Sequence, residues 1–258
     1  MSDTHWVHKM TDFFKPEKIE RVIVKISGEF LAGDGSLGFN HEVLEQLADD
    51  LISLKKTGLA IGIVLGGGNI FRGAKSLRSN ADGQEEKGIN RVSGDNIGML
   101  ATLQNSLVLS DYIQRKNYHA EVFSALEINK VCRFYTTNSV ENALNKGRIC
   151  FLAGGTGNPY FTTDTAAVLR AIELNADIVL KGTKVDGVYS ADPVVDKNAE
   201  YYPEISYDEL LSRRLNVMDM TAFSLARDHH IAMKIFNITK PGNLKNAILK
   251  KAVGTYVY

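Results

Sequence analysis

Short runs rich in β-branched residues alternate along this chain with segments whose apolar residues recur at helical spacing. The first run is Arg21 to Ile26, and the segment after it places leucine or valine at positions 43, 47, 51 and 54. Further strands are predicted at 59–65, 120–123, 149–152, 178–181 and 233–236, and helices at 95–116, 139–146, 163–174 and 242–250. This alternation predicts an α/β fold with a mainly parallel, buried sheet, because a helix between two strands returns the chain to the same edge.

The stretch from Gly154 to Asp164, GGTGNPYFTTD, lies between the end of a predicted strand and the start of a predicted helix. A glycine-rich turn at such a place leaves backbone N–H groups unpaired at the positive end of the helix dipole, which favours a bound anion. Aromatic and neutral hydrogen-bonding side chains stand in the same stretch, namely Asn158, Tyr160, Phe161, Thr162 and Thr163. An anion site beside flat apolar surface indicates a nucleotide.

Three more glycine-bearing turns follow predicted strands: KISG at 25–28, GGGN at 66–69 and KGTKVDG at 181–187. In a parallel sheet, strand ends of this kind gather at the carboxyl edge, where open α/β folds bind their ligands. A single such glycine more often reflects turn geometry than phosphate contact. Together with the stretch at 154–164, however, the turns predict one cleft.

Two common phosphate-binding motifs do not fit the spacing. The Walker A loop, GxxxxGK[ST], fails because Ala74 moves the lysine after Gly73 one place too far. The dinucleotide-binding fingerprint fails because Phe71 stands where its third glycine is required. The phosphate-binding site therefore belongs to another class.

Charge and cysteine usage restrict the class of protein. Thirty basic and thirty acidic side chains balance, which argues against a partner such as nucleic acid or an anionic membrane. Cys132 and Cys150 stand apart from any histidine cluster, which argues against a disulfide framework and a zinc site. With no signal-like or membrane-length apolar run, the sequence predicts a cytoplasmic protein. One domain is expected over 21–258, preceded by an N-terminal extension over 1–20.

Lys25 and Arg72 are the candidate phosphate-binding cations. A lysine on a buried strand is costly unless its ammonium reaches a site, so Lys25 is interpreted as a phosphoryl clamp. An edge-strand lysine that reaches water explains the pattern equally well. Arg72 follows the GGGN turn and could bind phosphate in bidentate fashion, although a surface ion pair is the commoner fate of an arginine.

Four isolated acids are open between structural and chemical roles. Asp95 follows Gly94 near a predicted helix start, where it is either an N-cap or an acceptor for a ribose hydroxyl. Asp164, Asp192 and Asp219 are individually most typical of caps and turns. Because Asp164 lies beside the proposed anion site, it requires either a lysine to orient or a cation such as Mg²⁺ between it and the phosphates. The sequence suggests no dedicated metal cage built from side chains.

Taken together, these motifs closely resemble the bacterial UMP kinase family of the amino-acid kinase superfamily. The resemblance covers the chain from about residue 20 to its end. Its motifs are KISG at 25–28, GGGNIFRG at 66–73, Gly94-Asp95, the stretch 154–164, KVDG at 184–187 with Ala191-Asp192-Pro193, and VMDM at 217–220. Their order and spacing separate this family from acetylglutamate, aspartate and carbamate kinases, which share the general plan.

The resemblance implies a three-layer αβα sandwich and transfer of the γ-phosphoryl group of ATP, carried with Mg²⁺, to UMP. The products are UDP and ADP, in pyrimidine nucleotide biosynthesis. The resemblance also implies a homohexamer in the cytoplasm and regulation by GTP and UTP, with effector contacts around residues 31–39. The segment 78–88 is longer than the family pattern, and the extension 1–20 is additional to it.

By the same resemblance, individual residues are assigned to three roles. The catalytic positions are Lys25, Arg72, Asp164 and Asp219. The ATP-binding positions are Lys25, Ile26, Ser27, Gly28, Gly68, Arg72, Thr183, Tyr189 and Asp192. The UMP-binding positions are Gly67, Asp95, Thr156, Gly157, Asn158, Pro159, Tyr160, Phe161, Thr162 and Thr163.

Two other functions remain open. A non-enzymatic nucleotide sensor or storage protein can use the same fold, although a pure binder has no need of Lys25 together with Asp164. A kinase with another acceptor, either CMP or an acidic metabolite such as carbamate, is the second alternative. The aromatic and threonine-rich run at 156–163 favours a nucleotide over a small acid.

Overall fold

A nine-stranded sheet forms the centre of the molecule. The computed structural model describes residues 18–35, 37–71, 89–215, 217–250 and 252–258. The strands are β1 (Arg21–Ile26), β2 (Ala60–Leu65), β3 (Ala120–Ser124), β4 (Arg133–Phe134), β5 (Ile149–Ala153), β6 (Ile178–Thr183), β7 (Val188–Tyr189), β8 (Tyr201–Tyr202), β9 (Glu204–Ile205), β10 (Ala232–Asn237) and β11 (Thr255–Val257). The helices are α1 (Gly28–Leu31), α2 (His41–Lys55), α3 (Arg91–Arg115), α4 (Thr137–Asn145), α5 (Thr163–Glu173), α6 (Tyr207–Ser212), α7 (Met220–Asp228) and α8 (Asn243–Leu249).

The strand order is β4-β3-β5-β2-β1-β6-β10-β11-β9. Every pair from β4 through β10 is parallel, whereas β11 runs antiparallel to β10 and β9 pairs in parallel with β11. β7 and β8 form a separate antiparallel pair. The predicted mainly parallel sheet is confirmed. β1 lies between β2 and β6, so earlier strands extend the sheet on one side of it and later strands on the other.

Helices cover both faces of the sheet. Val22 and Val24 of β1 point into a core shared with α2, α3 and α8, while Ile23 points into a second core shared with α4, α5, α6 and α7. This division follows from the alternation of side chains along a strand. The three-layer αβα sandwich is therefore confirmed. Lys25 has the parity of Ile23 and leaves the sheet on the side of α5.

The N-terminus of α3 differs from the prediction. The pattern placed it near Asp95, but the helix begins at Arg91 because Asn90 is the N-cap, and its side chain accepts the Ser93 N–H at 2.9 Å. The structure also contains elements too short to show any periodicity, namely α1, β4, β7, β8 and β9.

Residues 1–17 of the expected N-terminal extension lie outside the described residues. Immediately before β1 the backbone is already fixed to the body, because the N–H groups of Glu20 and Arg21 donate to Asp177 Oδ2 at 2.7 and 2.8 Å. Across the ranges given above, no helix is long and apolar enough to cross a membrane.

Candidate active site

Asp164, in the first turn of α5, is contacted by two lysines near the carboxyl ends of the central strands. Lys25 Nζ lies 2.6 Å from Asp164 Oδ1, and Lys181 Nζ donates to Oδ2 at 2.5 Å. Lys25 and Lys181 are register partners on β1 and β6, so they leave the sheet on the same face. The three side chains are only 8–13% exposed. The alternative in which Lys25 is an edge-strand lysine reaching water is therefore wrong, because β1 is central.

The charged groups of this cluster shift one another's pKa values. Burial lowers the pKa of Lys181 to about 8, with Asp164 opposing the shift and Lys25 adding to it. Burial tends to raise the pKa of Asp164, but the two lysines outweigh it and hold the pKa below the ordinary value. Two ammonium groups thus flank one carboxylate in a largely buried place, and the Asp219 carboxylate also favours the charged form of Lys181.

Two glycine turns meet in backbone contact beside Lys25. A Cβ at Gly28 would lie 2.5 Å from Gly66 O and 2.7 Å from Gly68 N, so only glycine fits there. The Gly66 N–H donates to Ile26 O at 2.8 Å. A Cβ at Gly67 would lie 2.8 Å from a carbonyl oxygen of α3. The KISG and GGGN turns thus form one continuous backbone surface, as expected for a shared cleft.

A buried amide pair fixes the GGGN turn to α3. Asn69 and Asn105 exchange side-chain hydrogen bonds of 3.0 and 2.7 Å. Asn105 Nδ2 also donates to Gly66 O at 2.6 Å, and Asn69 Nδ2 donates to Gly38 O at 2.9 Å. The turn is therefore tied both to α3 and to the segment 31–39, of which residue 36 lies outside the described residues.

Asp95 lies within α3 and presents one free carboxylate oxygen. Arg91 Nε and the Tyr160 N–H both donate to Oδ2, at 2.8 and 2.7 Å, and among the described residues Oδ1 has no partner. Burial tends to raise the pKa of Asp95, but these two donors outweigh it and lower the pKa. The N-cap interpretation of Asp95 is wrong, since Asn90 caps the helix. Asp95 is instead an ionised acceptor joined to the 154–163 loop.

The loop 154–163 combines two tight turns with an exposed aromatic pair. Gly154 has a φ of +78°, and its carbonyl accepts the Gly157 N–H at 2.9 Å. Tyr160 also has a positive φ, +73°, and its ring is packed under the Arg91 guanidinium, 5.5 Å from the ring centroid. Tyr160 and Phe161 are 66% and 49% exposed. The loop therefore offers open aromatic surface next to Asp95.

Thr162 is the N-cap of α5, and its hydroxyl is largely engaged within the protein. Its Oγ1 accepts from the N–H of Asp164 at 3.1 Å and that of Thr165 at 3.4 Å, and it donates to Asp219 Oδ2. The first turn of α5 therefore has fewer free N–H groups than the glycine-rich pattern alone predicts.

Asp219 has both a capping role and a place in the site. As N-cap of α7 it accepts the Ala222 N–H at 2.9 Å. It also accepts from Thr165 Oγ1 at 3.0 and 3.2 Å and from Thr162. Asp219 thereby joins the start of α7 to the start of α5, beside Asp164.

A cavity of about 620 Å³ is lined by residues that follow β6 and α6 in the chain. Two of the predicted ATP positions, Tyr189 and Asp192, line it. Asp192 also forms a turn, because its carboxylate accepts the Val194 N–H at 2.9 Å. The other lining residues are Lys184, Val185, Gly187, Ser190, Ala191, Pro193, Arg213, Arg214, Leu215 and Val217.

Three of the predicted ATP positions have a side chain that is buried, that is hydrogen-bonded within the protein, or that lies outside the described residues. The Ile26 side chain is fully buried in the core, so only its backbone is available to a ligand. The Thr183 hydroxyl donates to the carbonyls of Val185 and Phe236, at 2.8 and 3.2 Å. Arg72, together with the segment 78–88, lies outside the described residues.

Comparison with known proteins places the chain in a family. The sequence model of the amino acid kinase family matches residues 20–237. A uridylate kinase of Colwellia psychrerythraea is 46% identical over 237 residues, which are 92% of this chain and 93% of that protein. The solved structure of UMP kinase from Bacillus anthracis matches with a TM-score of 0.87 at 37% identity, covering 93% of this chain and 96% of that one. UMP kinase from Ureaplasma parvum matches with a TM-score of 0.85 at 35% identity, covering 93% and 99%.

The chain belongs to the amino acid kinase family. Within that family it is a member of the uridylate kinase group, as the identities and the shared fold show. The resemblance drawn from the motifs is thus confirmed.

Lys181 is not among the site residues that the sequence predicts. The sequence does contain a signal for it, since a lysine within the buried run IVLKGT is subject to the same burial argument as Lys25. Arg213, Arg214 and Lys184 of the large cavity were also missed. They come from turns whose position depends on how α6 and β7 pack, which no local pattern encodes.

The carboxylates of the site do not fit a metal ion held by the protein. Asp164 is engaged by two cations, and Asp219 by three donors. Over the part of the chain that the structure describes, no three His, Cys, Asp or Glu residues cluster to hold a metal. Since Mg²⁺ commonly keeps its waters and binds substrate phosphates, these residues fit a metal ion that arrives with ATP as part of the substrate.

Proposed function

We propose that this chain transfers the γ-phosphoryl group of ATP to UMP, giving UDP and ADP. The observation that carries the proposal is the contact of Lys25 and Lys181 with the two oxygens of Asp164 at the edge of the cleft. A protein that only binds nucleotides needs no such buried cationic pair. The choice of UMP as the acceptor rests on the relatives that are named uridylate kinase or UMP kinase.

The chemistry needs no general base, because the phosphate of UMP is already ionised at neutral pH. The difficulty is to bring two polyanions into line and to neutralise the charge that develops on the transferred group. Lys25 and Lys181 would contact the oxygens of that group, and Asp164 would keep both ammonium groups in place. Mg²⁺ bound to the ATP phosphates would neutralise further charge.

UMP would lie over the first half of the sheet. Asp95 Oδ1 would accept from a ribose hydroxyl, and the open rings of Tyr160 and Phe161 would border the nucleotide. Gly67 and the run 156–163 complete the assigned UMP positions.

ATP would place its nucleoside in the 620 Å³ cavity and its phosphates along the KISG and GGGN turns. Tyr189 and Asp192 line that cavity, and Lys184 follows the strand that carries Lys181. This arrangement brings the two nucleotides to Lys25 and Lys181 from opposite sides. Arg72 is assigned to the phosphates by its motif alone.

The wider setting is proposed from the family resemblance. The enzyme would serve pyrimidine nucleotide biosynthesis in the cytoplasm as a homohexamer, with GTP and UTP as effectors. The hydrogen bond from Asn69 to Gly38 O supports an effector response, because it joins the segment 31–39 to the GGGN turn.

The test is ADP release from ATP and Mg²⁺ with UMP, CMP, AMP or no acceptor, each repeated with GTP and with UTP. Turnover that depends on UMP, and is much weaker with CMP and AMP, is the expected result. Tight nucleotide binding without turnover on any acceptor would instead support a sensor or storage protein. A preference for CMP would keep the phosphoryl transfer and change the acceptor.

A further inference from the structure

Arg170 lies buried beneath the 154–163 loop, and its side chain is only 6% exposed. It is part of α5, two turns after Asp164. Its Nη1 contacts Glu173 Oε2 at 2.5 Å, and its guanidinium lies 3.8 Å from the centroid of the Tyr135 ring. Its Nη2 donates to the carbonyl oxygen of Gly155 at 3.2 Å. One buried cation thus connects α5 to the glycine turn of the 154–163 loop.

The ion pair with Glu173 does not by itself explain this arginine. A buried ion pair is often no more stable than apolar side chains of similar size. The Tyr135 hydroxyl, which donates to the same Glu173 oxygen at 2.6 Å, only completes the support of the guanidinium. Of these contacts of Arg170, the hydrogen bond to the Gly155 carbonyl oxygen is the one that joins it to the 154–163 loop.

The bond to Gly155 O determines where a neighbouring donor points. In a trans peptide, the carbonyl of one residue and the N–H of the next point in opposite directions. Since Arg170 holds the Gly155 carbonyl on its own side of the peptide, the Thr156 N–H points to the opposite side, away from Arg170. That N–H has no partner among the residues described.

Without Arg170, the Gly155 carbonyl would lose the side-chain donor that holds it in this orientation. Gly155 has a φ of +56°, and glycine populates positive and negative φ about equally. A peptide flip would replace the Thr156 N–H by a carbonyl oxygen, which repels a nucleotide oxygen. The positive charge on the carbonyl side also polarises the peptide and strengthens its N–H as a donor.

We propose that Arg170 is a positioning residue that fixes the Thr156 N–H as a donor to an oxygen of the acceptor nucleotide. This inference rests on the proposed function, because it names UMP as the ligand of the loop. The oxygen belongs either to the phosphate or to the base. Both accept the same hydrogen bond, and the experiment separates them.

The test compares Arg170→Met with Arg170→Met/Glu173→Gln and with Val168→Ala. The double variant removes both charges of the ion pair and keeps an acceptor for Tyr135. Val168, fully buried on the same helix, is the matched control for loss of stability alone. For each variant we would measure the melting temperature, the Kd for UMP and for CMP by calorimetry, and the KM for ATP.

We expect Arg170→Met to raise the Kd for UMP about tenfold, equal to about 1.4 kcal/mol, and to change the KM for ATP less than about twofold. The double variant should regain thermal stability but not UMP affinity, while Val168→Ala should lose stability and keep affinity. Equal losses for UMP and CMP, with no loss for uridine, which lacks the phosphate, would assign the oxygen to the phosphate. A loss of UMP preference would assign it to the base.

Wild-type affinity for UMP in either folded arginine variant would overturn the proposal, as would equal losses for UMP and ATP. If the single variant fails to fold, the double variant carries the same test. The wild-type protein separates this inference from the proposed function. If it does not bind UMP at all, the function is wrong, whereas a UMP-binding wild type with an unaffected variant refutes only the role of Arg170.

Discussion

Lys25 and Lys181 are register partners on adjacent parallel strands, and each contacts a different oxygen of Asp164. Like charges at neighbouring positions of a sheet repel, so this arrangement requires the carboxylate between them. The same arrangement places two ammonium groups at a fixed separation before any nucleotide binds. The catalytic and pH-dependent predictions follow from this relationship.

Lys25→Ala should lower kcat about 10²- to 10³-fold and leave the Kd for UMP nearly unchanged, because the lysine neutralises charge that develops in the transition state. The fold should persist, since Asp164 keeps Lys181 as its partner. Steady-state kinetics and UMP calorimetry check this. Lys146→Ala, at an exposed lysine after α4, is the control, and normal turnover in Lys25→Ala would refute the clamp role.

The value of kcat/KM should fall above about pH 8, because the Lys181 ammonium then loses its proton. Bound phosphate favours the protonated form, so the corresponding fall in kcat should occur at higher pH. Lys181→Arg keeps its charge at alkaline pH and should move the fall in kcat/KM to higher pH. An unchanged alkaline limb in that variant would assign the titration to another group.

Whereas kcat/KM should fall as Lys181 loses its proton, the free energy of unfolding of the free protein should rise. Its pKa is about 8 when folded and 10.5 ordinarily, so between these values the unfolded chain binds more protons. The contribution of Lys181 to the free energy of unfolding therefore rises with pH across this window. Denaturant unfolding of the wild type and of Lys181→Met on both sides of the window measures it. A difference between the two proteins that does not change with pH would contradict the assignment.

Asp95→Ala should raise the KM for UMP about tenfold to 100-fold with a smaller change in kcat, since hydrogen bonds to a charged group contribute about 1.5–3 kcal/mol. If Asp95 Oδ1 accepts from the ribose, the substitution should affect UMP more than its deoxy analogue. Kinetics with both substrates test the contact. Equal effects on the two would place Asp95 elsewhere than at the 2′-hydroxyl.

Asp219→Ala should destabilise the protein by about 1–2 kcal/mol through loss of the α7 cap. The Mg²⁺ concentration needed for half-maximal activity should stay the same in Asp219→Asn, because the carboxylate already has donors from Thr162, Thr165 and Ala222. Thr136→Ala removes the N-cap of α4, away from the proposed site, and is the control for loss of a helix cap alone. A large shift in the Mg²⁺ requirement would show that Asp219 binds the metal.

Local pattern was enough to predict the longer strands, most of the longer helices and the place of Lys25 on a buried strand, because burial and periodicity act over a few residues. Asp164 could likewise be placed in the first turn of a helix beside the glycine turn. What the pattern could not supply was the partner of Asp164. Lys181 is close to Lys25 only because β6 pairs with β1, and strand order is a long-range property of the fold.

The same limit explains the missed cavity residues and the misjudged Asp95. Arg213 and Arg214 follow a short helix and reach the cavity through tertiary packing. Asp95 follows a glycine that resembled a helix boundary, whereas Asn90 forms the stronger cap. Several neighbouring residues can serve as the N-cap of a helix, and a single sequence does not show which of them does so.

The strand order has a mechanical consequence. The UMP positions belong to turns and helices that follow β2 and β5, and the large cavity follows β6, yet the two halves are joined through the continuous hydrogen-bond ladder between β1 and β6. Among the described residues, the elements proposed to hold the two nucleotides thus belong to one unbroken sheet. We therefore expect Lys25 and Lys181 to keep their separation when nucleotides bind, because the strands that carry them are hydrogen-bonded neighbours in that sheet.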